Sequence, residues 1–547
     1  MGVYIQLKAF GEHIPEKEWT NIYEEALTLL KAENAIGIRR DVIQFDENSE
    51  AERIYFSTNI EKDTDDPARH HWDVVGDIDN LLIAESFSMH RNNQSLPYRE
   101  PDAHVDIIAD IIREIEDDGQ TYDLIFDGKT QGYPYHYCIL AVGMLLEDRF
   151  PRYAVVSGNI DRYQAIKSQE MIKQILNKTV QLPVVTEWER LIDRIKQFKQ
   201  GVSAINAFSD IIRDDPRRDG KERLQAIKNK FSETEFNQWI LTNLKHYESA
   251  SQNGSLNIFI DSLNAGFDIK NLAKLACIEP DGPLFKPDEF FKALVESLWI
   301  TVPMDNKDNF SIFQKPKGDV DGVMSQFGLA MFDMMGGMKG RDLKIYIPED
   351  QLLEEMETVF PDKIKELRDI VKNAKKKLDK TLQKANENLN MFQQKHDTSM
   401  PLTDGTEFFT LDEGDPLNES IEMMLKGIAY YIYSAKDQVK DNDELNQIFN
   451  EDNDLIHYRF VLTKMTGELG PTLTENAWNW IDKEKDVKLL RTLLILAAFQ
   501  NNEQTFYNTK KSIFEKRWLC KLVTDWSMDD EKMTSMQKMM DDIKDKM

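Results

Sequence analysis

The chain is poor in cysteine: Cys138, Cys277 and Cys520 are the only three in 547 residues, and they lie far apart. An odd, sparse set excludes a disulfide framework and any cysteine-based zinc motif, and it fits a reducing compartment. Long apolar runs are missing too. The most apolar stretches, Cys138–Leu146 and Leu489–Phe499, fall short of the roughly 20 residues that cross a bilayer. Residues 1–30 carry polar and charged side chains throughout, so no export signal is expected there. Positive charge is in deficit, with 68 Lys and Arg against 96 Asp and Glu, a formal net charge of −28 and a pI near 4.8. That balance excludes a nucleic-acid-binding surface spread over the whole molecule, since phosphate contacts need clustered cations. The expectation is a cytoplasmic protein without membrane contact, whose acidity suits a basic protein partner.

Catalytic motifs are equally scarce. Gly128-Lys-Thr130 invites a phosphate-loop reading, but the motif needs a glycine where this chain has Asp123. Ser157 sits in Val-Val-Ser-Gly-Asn, without the G-x-S-x-G pattern of a nucleophile elbow. Cys138 falls on an apolar helical face and reads as core. The densest histidine group is His70, His71, His90 and His104, near Asp73. Neighbouring histidines in a strand point to opposite faces, so His70 and His71 do not converge on one ion. The acidic clusters Asp412–Asp415 and Asp452–Asp454 lack the glycine and terminal glutamate of a calcium loop. No metal and no cofactor is expected.

What is present is architecture. In Tyr122–Gly158 the apolar run Leu124–Phe126 ends in a polar turn. An apolar helical segment follows, then the β-branched run Ala154–Val156. That order is the grammar of a βαβ unit. Alternation predicts a strand at Val3–Gly11, and the patterns at Ile36–Phe45, Arg53–Thr58, Trp72–Gly76 and Glu85–His90, with no helix between them, predict antiparallel pairing at one side of the sheet. Leu182-Pro-Val-Val reads as a short edge strand. Helical spacing predicts helices after Pro15, over Asp102–Glu116, and from an Asp161 cap to about Leu176. The fold class expected is thus α/β, a mixed sheet with a βαβ unit over residues 1–200, followed by a large all-α region of helical layers. That region divides into residues 201–345 and 346–547. Further strands are expected at Phe310–Pro316 and Leu343–Pro348. A heptad-like helix spans 361–394 and offers a surface for a homo-oligomer or another long helix.

The carboxyl ends of parallel strands are where open α/β sheets bind ligands. This places Asp127, Lys129 and Gln131 after one strand and Ser157, Asn159 and Asp161 after the next. Asp127 is a candidate base or metal ligand, and Lys129 a candidate anion contact. The plainer reading is that Asp127 and Asp161 cap turns while Lys129 is solvated. A second candidate surface is the methionine stripe Met533, Met536 and Met540 near the C-terminus, with a similar one over Met324–Met338. Such flexible side chains form either partner grooves or core. Together these features suggest an intracellular protein–protein interaction or adaptor protein, in a role such as toxin neutralisation or phage defence. The alternative is an enzyme acting on an anionic or nucleotide-like small molecule near Asp127 and Ser157.

Overall fold

The computed structural model describes residues 3–62, 64–78, 82–93, 98–100, 105–117, 121–213, 221–303, 343–376, 407–440, 454–468, 470–498 and 504–544. Strand β1 (Tyr4–Ala9) buries Ile5, Leu7 and Ala9, the period-2 signature of a strand with one covered face. It lies between β6 (Asp123–Lys129) and β7 (Ala154–Gly158) and runs antiparallel to both. The βαβ unit is therefore split: β6 and β7 run parallel to each other, but β1 is inserted between them. The helix joining them, α3 (Tyr135–Arg149), is buried almost throughout, from Tyr135 to Glu147. Gly143 permits its close approach to the sheet, because a Cβ there would stand 2.6 Å from the Val156 side chain. Helix α1 (Glu16–Ala32) packs beside α3, and α4 (Arg162–Leu176) follows β7.

A second sheet has the order β5-β4-β2-β3-β8, with β2 (Ala35–Asp46), β3 (Ser49–Ser57), β4 (His71–Asp77) and β5 (Leu82–His90) antiparallel in succession. These are the short strands that alternation predicts. Its last strand, β8 (Leu473–Thr474), comes from the far end of the chain and pairs parallel with β3. Two expected strands are not formed. Leu182–Val185 makes an extended run into a 3-10 turn at Val184–Thr186, since Pro183 has no amide to give a ladder. Leu343–Pro348 has no strand pairing; it is held to the body by buried Leu343, by the Lys344 amide on the Asn264 side-chain oxygen at 2.7 Å and by the Ile347 amide on the Ile300 carbonyl at 3.0 Å. The segment Phe310–Pro316 lies outside the described residues.

From Gly201 onward the described residues are almost wholly helical. Buried side chains from Ile5 to Ala374 form one contiguous core, crossing both residue 200 and residue 345. Leu367, Val371 and Ala374 of the heptad helix are buried in it, so the described part of that helix packs within its own chain; residues 377–394 lie outside the described residues. A second core runs from Phe408 to Met536. It docks on β3: buried Arg53 bonds both Asp482 carboxylate oxygens at 2.8 and 3.0 Å and stacks 3.9 Å from the Trp478 ring. Lys511 lies over the Phe56 ring, and burial pushes its ammonium down to about 8.

Candidate functional site

The carboxyl ends of β6 and β7 are separated by the intervening β1. Asp127 and Ser157 flank Gln6 in register on one face of the three-stranded sheet, and Asp127 is exposed. Lys129 is held by Glu85, at 3.2 Å through its ammonium and 2.8 Å through its amide. Gln131 takes a left-handed φ of 56° ahead of Gly132, so it turns the chain. Asn159 accepts the Tyr4 amide at 3.0 Å and donates its own amide to the Tyr4 carbonyl at 2.9 Å, closing the sheet edge. Asp161 caps α4 in a reciprocal capping box with Gln164, both bonds 2.8 Å. Behind this end, buried Thr130 bonds His136 Nδ1 at 2.7 Å, and burial pushes that imidazole down to about 4, keeping it neutral. Most of these polar groups are committed to backbone or to a neighbouring charge, and none of the six candidates lines the cleft at the other end of the sheet.

The remaining candidates are placed as follows. Met533 and Met536 point into the second core, because their stripe is the apolar face of the helix Asp530–Lys544; the side chain of Met540 lies outside the described residues, as does the stripe Met324–Met338. His71 and His90 face each other across β4 and β5 with rings 4.9 Å apart, while His70 turns away to Glu61. Burial raises the thiols of Cys138, Cys277 and Cys520. A buried thiol kept protonated is a poor nucleophile.

A cleft of about 650 Å³ opens at the opposite, amino end of β7. Its size lies within the range of small-molecule sites. Four segments build it: the residues entering α2 (Ile107–Asp117), the end of α3 with the following turn, the extended run before Val184, and α5 (Trp188–Ile195). Three carboxylates, Asp106, Glu147 and Asp148, share it with three guanidiniums, Arg152, Arg190 and Arg194. This local balance contrasts with the acidic chain around it.

Each group has a distinct setting. Asp106 is buried and takes a bidentate pair from Arg194 at 2.8 and 3.1 Å, as well as the Ile108 amide at 2.9 Å. Asp148 accepts the Gln181 amide at 2.8 Å. Arg152 donates to the Val105 carbonyl at 2.8 Å. Arg190 donates to the Gln181 side-chain oxygen at 2.7 Å and to the Leu182 carbonyl, both neutral acceptors. Glu147 is 5 % exposed; its oxygens accept the Val156 amide at 2.9 Å and the Val184 amide at 2.6 Å. Strand β7 is an edge, so the Val156 amide needs this partner. Burial raises the Glu147 carboxyl to about 7, against the lowering pull of the two amides, Arg190 and Arg194. A buried acid titrating near neutrality beside unneutralised guanidinium is an arrangement suited to anion binding and proton exchange.

No sequence motif marks this cleft, because its polar residues come from separate segments. Two local signals were present nonetheless. Arg190 and Arg194 share a helical face at i, i+4, and Glu147 interrupts the otherwise apolar run of α3. Among the described residues, no cluster of three or more His, Cys, Asp and Glu side chains is arranged to hold a metal ion. Comparison of the chain with protein-family models, curated proteins and solved structures returns no match.

Proposed function

We propose that the protein binds, and through Glu147 chemically engages, a small anionic molecule bearing a phosphate, sulfate or carboxylate group in the cleft at the amino end of β7. The reading retains the anionic ligand class suggested by the sequence and moves its site from the Asp127 and Ser157 end to the Arg190 end. Arg190 carries it. Its guanidinium lines a ligand-sized cleft while its two bonds go to neutral oxygens, leaving its charge for an incoming oxyanion. Arg194 differs, because the buried Asp106 already neutralises it. Isothermal titration of the full chain with sodium sulfate, against sodium chloride at matched ionic strength, tests the reading. Saturable binding that Arg190→Gln weakens at least about tenfold is the expected result, in line with the loss of a charged hydrogen bond. No saturable binding, or binding indifferent to Arg190→Gln, refutes it.

A second reading, the interaction or adaptor role, has one observation in its favour. The groove of about 600 Å³ between the helix Glu349–Val359 and the helix over 364–376 has an acidic wall and a basic one. Glu349, Asp350, Glu354 and Glu357 form the first; Arg368, Lys372, Lys375 and Lys376 form the second. Charge segregated in this way suits a protein segment with complementary charge. A partner recovered by affinity capture from native cells, and lost when Lys372, Lys375 and Lys376 are replaced by glutamine, supports this role; retention by the triple variant refutes the groove as its basis.

A further inference from the structure

The arginine charge that an anion would neutralise is the same charge that favours ionised Glu147. Resting on the anion-cleft reading above, we propose that anion binding at Arg190 is coupled to uptake of one proton by the Glu147 carboxylate, so that the cleft takes its ligand together with a proton.

The coupling follows from geometry. Glu147 is fixed at the cleft wall by two backbone amides from different segments, β7 and the turn at Val184, so it cannot swing away from an incoming charge. Its charged surroundings are few. On α3 itself, Asp148 is tied to the Gln181 amide. From α5, Arg190 and Arg194 both act on Glu147, and Asp106 before α2 neutralises the second. Arg152 enters from the turn before β7. From α1, Glu18 and Glu25 face α3 but pair with Arg149, and Lys178 also pairs with Glu25. From α4, Lys167 sits over the Tyr137 ring, at the other end of α3. Of Arg190 and Arg194, the two guanidiniums that act on Glu147, Arg190 is the one whose hydrogen bonds go to neutral oxygens, and an oxyanion bound there replaces attraction by repulsion. The ionised carboxylate becomes costlier in the complex, and by linkage the protonated form binds the anion more tightly.

The sign is defined by the free protein, where Glu147 titrates near 7. Well below that pH the carboxyl is already protonated, and affinity is at its maximum and flat. As pH rises through 7 the free form loses its proton first, so affinity falls. Sulfate is the probe, because it stays a dianion throughout this range. For the wild-type full chain, the sulfate Kd should rise about fivefold from pH 6 to pH 8 if binding shifts the group by one unit. Glu147→Gln, neutral at every pH, should bind at the wild-type acidic limit and vary less than about twofold over the same span. Calorimetry of the wild type at pH 7.5 in two buffers of different ionisation enthalpy gives the proton count directly and needs no variant to fold. Uptake of roughly half to three-quarters of a proton per sulfate supports the coupling. Zero uptake, or a Kd equal at pH 6 and pH 8 while Arg190→Gln still abolishes binding, overturns the coupling and leaves the cleft reading intact. Saturable sulfate binding that is absent, or insensitive to Arg190→Gln, overturns both.

Discussion

The two ends of β7 are built from the same kinds of residue and have opposite accounts of their polar groups. At the carboxyl end, Asn159 and Asp161 bond backbone and Lys129 pairs with Glu85. At the amino end, Glu147 is buried at a raised pKa and Arg190 donates to neutral oxygens on the wall of a cleft. Position at a strand end is therefore a weak guide to a site. What distinguishes the ends is whether local backbone satisfies the polar groups or whether distant segments bring charge together.

The largest effect should come from breaking the buried pair at the amino end. Arg194→Ala leaves the Asp106 carboxylate without its guanidinium and should cost roughly 3–5 kcal/mol in urea unfolding. A loss under about 1 kcal/mol would show that water reaches Asp106 freely. Next is the pH dependence set by Glu147. Its carboxyl is raised in the folded state from an ordinary value of 4.5 to about 7. The folded protein therefore binds the extra proton in this window, and stability falls as pH rises from 4.5 to 7. The contribution is on the order of 3 kcal/mol, present below the unfolded pKa and lost through the folded one. Comparing wild type with Glu147→Gln across this window isolates it; identical slopes would remove Glu147 from the account. At the carboxyl end, Asp161→Ala removes one cap and should cost about 1 kcal/mol, with no change in sulfate affinity. The smallest effect belongs to exposed Asp127. Asp127→Asn should shift stability by less than about 0.5 kcal/mol and leave sulfate titrations unchanged, and a loss of binding in this variant would move the site back to this end.

Much of the fold was legible because its signals are local. Ile5, Leu7 and Ala9 alternate along β1, and Asp161 caps α4 at the residue its chemistry favours, with the helix ending at Leu176 as spacing indicates. The insertion of β1 between β6 and β7 was not legible, since a βαβ pattern reads the same whether its strands touch or are split. Met533 and Met536 show a similar limit: a stripe at helical spacing marks an apolar face, and only packing decides whether that face meets core or partner. The cleft was least legible. Glu147 as a charge within an apolar helix was its best signal, and two amides distant in sequence explain it.

By itself the amino-acid order determined most of the secondary elements, the α/β head with its helical continuation, and the scarcity of reactive motifs, since all of these depend on side-chain periodicity and near neighbours. Tertiary structure alone decided which charges meet. Asp106 lies 88 positions from Arg194, and Arg53 lies 429 from Asp482. The strength of an ionic contact depends on separation and on exclusion of water, and neither is encoded in distance along the chain.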